Sequence, residues 1–123
     1  MGQILDTTVL VDHLRNIKSL DLNKSPQEYT ISAITAFELI QGSQNRHALT
    51  IVKKLNRSLH VLPLTPSISQ TASNLLEQYS LSHGLLILNA LIAATALTHH
   101  LTLVTANTKH FSYLPGLKLK ASP

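Results

Sequence analysis

The chain has 123 residues, enough for one hydrophobic core and too few for two ordinary domains, so a single domain over residues 1–123 is expected. Hydrophobic residues supply 44% of it, charged residues only 13%, and cysteine is absent, which excludes a disulfide framework and a thiolate metal site and fits a reducing cytoplasm. The net charge of +4 favours a polyanionic partner through counterion release, and any acidic cluster must be drawn from six carboxylates.

Met1-Gly2-Gln3 runs directly into Ile4-Leu5-Asp6, so no signal peptide is expected. Gln3 to Asp6 reads as a short buried strand ending at an acid. Thr7 or Thr8 opens a helix containing Val9, Leu10, Val11, Leu14 and Ile17. Residues 19–28 are polar and broken and read as a loop. Tyr29 to Ile34 supplies β-branched and aromatic residues for a second strand. Thr35 then caps a helix carrying Phe37, Leu39 and Ile40, with Gly42 near its end. A further helix from Arg46 to Leu55 places Ala48, Ile51, Val52 and Leu55 on one face and leaves Lys53, Lys54 and Arg57 outside it.

His60-Val61-Leu62 reads as a third strand, closed by Pro63. Thr65-Pro66 starts a helix with a cap residue followed by proline in the first turn, and His83-Gly84 stops it. Leu85 to Leu97 is the most apolar stretch, yet it is interrupted by Asn89 and too short to span a bilayer, so a soluble protein without a membrane segment is expected. Within it Asn89 caps a helix from Ala90 to His99, apolar on nearly every side. Leu101 to Thr105 forms a fourth strand and Leu117 to Leu119 a short fifth. Strands separated by helices imply β-α-β crossovers and a parallel sheet flanked by helices.

In such sheets ligands bind outside the carboxyl ends of the strands, near a switch in strand order. That rule selects Asp6, Glu38, Asn89, Asn107 and the nearby His110. If they converge, the chemistry is metal-assisted: hard cations such as Mg²⁺ take carboxylates, water and substrate phosphate as ligands. There is no Gly-rich phosphate loop and no His-x-x-x-His pair on a helix. Each residue also has a structural explanation. Glu38 completes a capping box with Thr35, Asn89 is a good helix cap, Asn107 is a common turn residue, and Asp6 can cap the helix it precedes.

Read as a set, the blocks resemble a known family. Ile4-Leu5-Asp6-Thr7-Thr8-Val9-Leu10-Val11-Asp12 is similar to the opening of PIN domains, and Ser32 to Gly42, containing Thr35-Ala36-Phe37-Glu38, resembles their second block. Gly84 to Phe111, with Asn89-Ala90-Leu91-Ile92-Ala93-Ala94, then Leu101 to Asn107, then Lys109-His110-Phe111, is similar to the third and fourth blocks of VapC toxins, down to the Leu114-Pro115-Gly116-Leu117 exit. The resemblance implies a PIN-like three-layer α/β/α fold with a central parallel sheet of four to five strands. It also implies a Mg²⁺- or Mn²⁺-dependent endoribonuclease acting on tRNA or rRNA, a homodimer, and a VapB-like antitoxin whose tail lies across the active-site groove.

By position, Asp6 and Glu38 match the family's metal ligands, Thr7 and Thr105 its hydroxyls beside the acids, and Asn107 and His110 its fourth block. Asn89 departs from the pattern, which has aspartate there. The amide keeps an oxygen ligand but loses a charge, worth about 4 kcal/mol per unit pair at ~4 Å and an effective dielectric near 20. Weaker repulsion between the remaining acids offsets part of that. Two functions therefore stand side by side: an impaired RNA endonuclease, and a non-catalytic PIN domain that binds RNA or an antitoxin-like partner. A metal-free domain using Asp6 and Glu38 only as caps is a third. Arg15, Lys53, Lys54, Arg57 and Lys109 are the basic candidates for RNA contact, Arg15 first among them because it follows the first helix near Asp6.

Overall fold

The alternation of side chains along short strands decides the layering. In the computed structural model, which describes residues 2–16 and 29–122, Ile4 and Leu5 enter two different hydrophobic clusters, as do Leu103 and Val104. Successive strand residues point to opposite faces, so both strands bury apolar groups on both sides, as a covered parallel sheet requires.

The elements in chain order are β1 (Gln3–Leu5), α1 (Thr7–Leu14), β2 (Thr30–Ser32), α2 (Ala33–Gln41), α3 (Arg46–Ser58) and β3 (His60–Leu62). After these come α4 (Pro66–His83), α5 (Ile87–Thr98), β4 (Thr102–Thr105), a 3₁₀ turn at Thr108–His110 and β5 (Leu119–Ala121). All strand pairs are parallel and the sheet order is β3-β2-β1-β4-β5. On one face Ile4 and Leu103 pack with Ile68, Ala72 and Leu75 of α4 and Ala90, Ile92 and Ala93 of α5. On the other, Leu5 and Val104 pack with Val9 and Leu10 of α1, Leu39 of α2, and Val52 and Leu55 of α3. This is the three-layer α/β/α architecture expected, with five strands.

The local signals act where they were legible. Thr65 Oγ1 accepts from the Ile68 N–H at 3.2 Å and Pro66 fills the first turn of α4. Gly84 closes that helix in the left-handed region, φ 68°, its N–H donating to the Ser80 carbonyl.

Two helix starts are corrected. α2 begins at Ala33, capped by Ser32, whose hydroxyl accepts from the Ile34 N–H at 3.2 Å; Thr35 is not its cap but lies fully buried within the first turn. The second strand accordingly stops at Ser32, because Ala33 and Ile34, apolar enough for a strand, are already helical. α5 begins at Ile87 after Leu86, which offers no capping side chain, so Asn89 sits inside the first turn rather than before it. β5 also lies two residues later than predicted. The predicted loop at 19–28 and Ile17 of the first helix fall outside the described residues. Among the described residues no helix is long and apolar enough to cross a membrane.

Candidate active site

β1 pairs with β2, its successor in the sheet's first half, and with β4, to which the chain returns only after α4 and α5. The strand order therefore reverses beside β1, and the carboxyl ends of β1 and β4 frame the crevice where such sheets bind ligands. Asp6 is the first residue past β1, its N–H donating to the Val104 carbonyl at 2.8 Å. Its side chain is only 4% exposed.

Burying a carboxylate costs several kcal/mol unless donors replace water. Two hydroxyls do so here: Thr105, the last residue of β4, donates to Asp6 Oδ2 at 2.7 Å, and Thr8 donates to the same oxygen at 2.8 Å. Each hydroxyl also accepts a backbone N–H, Thr105 from Asn107 at 3.0 Å and Thr8 from Ala106 at 3.2 Å. Because both protons are committed to Asp6, the 3.5 Å approach of Thr8 Oγ1 to Thr105 Oγ1 is proximity rather than a hydrogen bond. Asp6 Oδ1 receives no donor among the described residues, and Asp6 does not cap α1 with its side chain.

Glu38 is held by a second relay. Thr7 donates to Glu38 Oε1 at 2.6 Å and lies 3.0 Å from Thr35 Oγ1. With the Thr7 proton spent on the carboxylate, the Thr7–Thr35 bond takes its proton from Thr35. The direction is Thr35 to Thr7 to Glu38. The capping-box explanation of Glu38 thus fails: its carboxylate faces Thr7 across the helix interface and leaves the start of α2 to Ser32. Since Thr7 and Thr8 are adjacent in α1, the two acids are tied to one turn of helix.

The fourth block joins the same assembly. Asn107 Nδ2 lies 3.1 Å from His110 Nε2, and with the amide in this orientation it donates to the ring nitrogen. Asn89, Lys109 and His110 line one small cavity, which brings Asn89 to the His110 side of the site. Arg15 shares a larger groove, about 430 Å³, with Thr7 and Glu38 between α1, α2 and α3. Lys53, Lys54 and Arg57 are exposed on α3 and line neither cavity. The structure thus ties Asp6, Thr8, Thr105, Asn107 and His110 into one relay and Thr35, Thr7 and Glu38 into a second, the two meeting only at the adjacent residues Thr7 and Thr8 of α1. Thr8 was readable only as a helix opener, and nothing in the linear spacing joins Thr35 to Thr7.

The donors fit a hard divalent ion in kind: two carboxylates, amide and hydroxyl oxygens, and no sulfur. Among the described residues, however, no group of three or more histidine, cysteine or acid side chains is placed to hold a metal.

A three-layer α/β/α fold around a five-stranded parallel sheet is a PIN-like architecture. The chain belongs to the PIN domain family, whose model matches residues 4–117. It is closely related to the VapC-family toxins of VapBC toxin–antitoxin systems. Ribonuclease VapC19 of Mycobacterium tuberculosis is 30% identical over 94% of this chain and 97% of its own length. Ribonuclease VapC10 of the same organism is 32% identical, covering 94% of this chain and 90% of its own. Among solved structures, the DNA-bound VapBC of Salmonella typhimurium shares the fold with a TM-score of 0.83 and 22% identity, over 98% of each chain.

Proposed function

We propose that this chain, acting as a single PIN domain, is a metal-dependent endoribonuclease of a VapBC-type toxin–antitoxin system, directed at structured RNA such as tRNA or rRNA and weakened by Asn89. The observation that carries the reading is the tethering of Asp6 and Glu38 to adjacent threonines of α1 at the switch point of the sheet. The curated relatives are ribonucleases by name, which supports the same reading.

In this reading Asp6 and Glu38 would hold Mg²⁺ or Mn²⁺, assisted by the Asn89 amide oxygen, and the ion would supply Lewis-acid activation of water and charge neutralisation at the phosphodiester. The chain's own residues prepare the site. Thr8 and Thr105 load Asp6 Oδ2 and leave Oδ1 for the cation, while Thr35 and Thr7 fix the Glu38 carboxylate. Asn107 positions His110, and Arg15 and Lys109 attract the RNA backbone from either side. The groove from Glu38 and Arg15 along Val11, Ile51 and Val52 is apolar with a charged end, which suits the tail of a VapB-like antitoxin. Exposed Phe37, Ile51 and Leu81 are side chains that an antitoxin or a second copy in a homodimer would cover.

Asn89 favours a second reading: a catalytically inactive PIN domain that binds RNA or an antitoxin. N89D and the unmodified chain, each incubated with RNA in Mg²⁺ and in EDTA, separate the two. Metal-dependent cleavage gained in N89D supports the nuclease; no cleavage by either protein supports the binding function.

A further inference from the structure

The chain has three tyrosines and no tryptophan. Two of the three meet His83 in one place. The imidazole of His83 lies parallel to the Tyr113 ring, centroids 4.2 Å apart and planes 13° from coplanar, and Tyr79 packs against both at 5.7 and 5.5 Å. Ser82 Oγ, 2.8 Å from His83 Nδ1, restrains the ring further. The pair borders the cavity of about 110 Å³ that also contains Gly84, Asn89, Lys109 and His110.

Three features make this more than a packing cluster. His83 ends α4 on the surface, and both it and Gly84 beside it are exposed, so the imidazole is reachable from solvent. Lys109 and His110 are exposed on the same rim, and α5 starts there without a capping side chain, which leaves first-turn N–H groups to meet an anion. The cavity is also joined to Asp6: His110 contacts Asn107, whose N–H meets Thr105 Oγ1, which donates to Asp6. A flat ring platform beside cations, continuous with an acid site, suits an unstacked base of a single strand with its phosphate alongside.

We infer that His83 and Tyr113 form a base-stacking subsite for an unpaired nucleotide flanking the scissile phosphate of an RNA substrate, with Lys109 on the adjoining phosphate. The inference rests on the RNA-directed reading above and adds a binding subsite to it. The column formed is base on His83 on Tyr113, and it accepts any base, since each has a π-face.

Binding is measured by fluorescence anisotropy of a labelled single-stranded oligouridylate in EDTA, which keeps cleavage out of the readout. His83→Ala is expected to weaken binding about five- to a hundredfold, and His83→Phe, which keeps a ring, to restore most of it. An oligonucleotide lacking one base at the stacking position should lose the same affinity with the unmodified protein and show no further loss with His83→Ala. That ligand-side result does not depend on how the variants fold. Four outcomes overturn the subsite: no binding by the unmodified chain, equal binding by folded His83→Ala, an equal loss on fully paired RNA, or a change in oligomeric state in place of RNA affinity. The last would assign the rings to a second copy. An N89D protein that never cleaves RNA refutes the nuclease reading and leaves this binding result standing.

Discussion

Replacing Thr105 with valine removes one hydroxyl and little volume, so the effect isolates a hydrogen bond to a buried carboxylate. The Thr105–Asp6 bond is 2.7 Å long, fully buried on the threonine side and directed at an acid with one other donor to the same oxygen. A hydrogen bond to a charged partner contributes about 1.5–3 kcal/mol, against roughly 0.5–1.5 kcal/mol for a neutral pair. Thr105→Val also leaves the Asn107 N–H without its 3.0 Å acceptor, but Asn107 is partly exposed and water can serve it. The expected loss is therefore about 1.5–3 kcal/mol, equivalent to a fall in Tm of about 5–15 °C for a chain of this size.

Urea unfolding followed by far-UV circular dichroism measures it, with the m-value checking that both proteins unfold over the same surface. The decisive comparison is a double-mutant cycle with Asp6→Asn. If the threonine acts on the carboxylate's charge, its removal costs about 1 kcal/mol less when residue 6 is neutral. A Thr105→Val protein within about 0.5 kcal/mol of the original, or a loss undiminished beside Asn at position 6, would refute the assignment of that hydroxyl to Asp6.

The second relay predicts non-additivity. Thr7→Val leaves the fully buried Thr35 hydroxyl without its acceptor and should cost about 1–3 kcal/mol, while adding Thr35→Val removes the stranded group and should recover part of that; urea midpoints of the two singles and the double test it. Gly84→Ala forces a Cβ into φ 68° although space around it is empty, so a loss of about 1 kcal/mol or more in chemical unfolding is expected from backbone strain alone. Burial pushes the Tyr113 phenol above its ordinary value of 10. The folded protein then keeps a proton that the unfolded chain has released, so the associated stability is intact below about pH 10 and declines as pH rises through the folded-state value. Tyr113→Phe should flatten that alkaline decline in stability and delete one phenolate step from the 295 nm absorbance titration.

The layering was legible because each short strand brings apolar residues to both faces, as Ile4-Leu5 and Leu103-Val104 do, and because turn chemistry at Thr65-Pro66 and His83-Gly84 is local. β3 matches its predicted span residue for residue for the same reason, Pro63 closing it. The two misplaced helix starts share another cause. At Ser32 strand and helix abut without a loop, one buried serine ending the strand and capping the helix, and at Leu86 a helix begins on an apolar residue with no side-chain cap, so neither start carries the usual loop-and-cap signal. In the site, acids at strand ends stand out when a chain has only six carboxylates. The hydroxyls that hold them do not. Thr7 and Thr35 are 28 residues apart and Thr105 and Asp6 are 99, and pairings at such separations exist only once the sheet order is known.

The shift in the start of α5 changes the weight of Asn89 more than that of any other residue. Before the first helical position, an asparagine is explained by capping alone. In the first turn, with Leu86 as the cap, that explanation is gone, and the side chain instead borders the cavity shared with His110 and Lys109. First-turn positions favour negative charge by about 0.3–1 kcal/mol through the helix dipole. Aspartate there would thus help the helix locally, and on the proposed nuclease reading it would also add a third carboxylate to the cation site. It follows that N89D is not expected to compromise the start of α5, so a failure of N89D to gain metal-dependent cleavage, with its Tm unchanged or raised, counts against the nuclease reading and not against the folding of the variant.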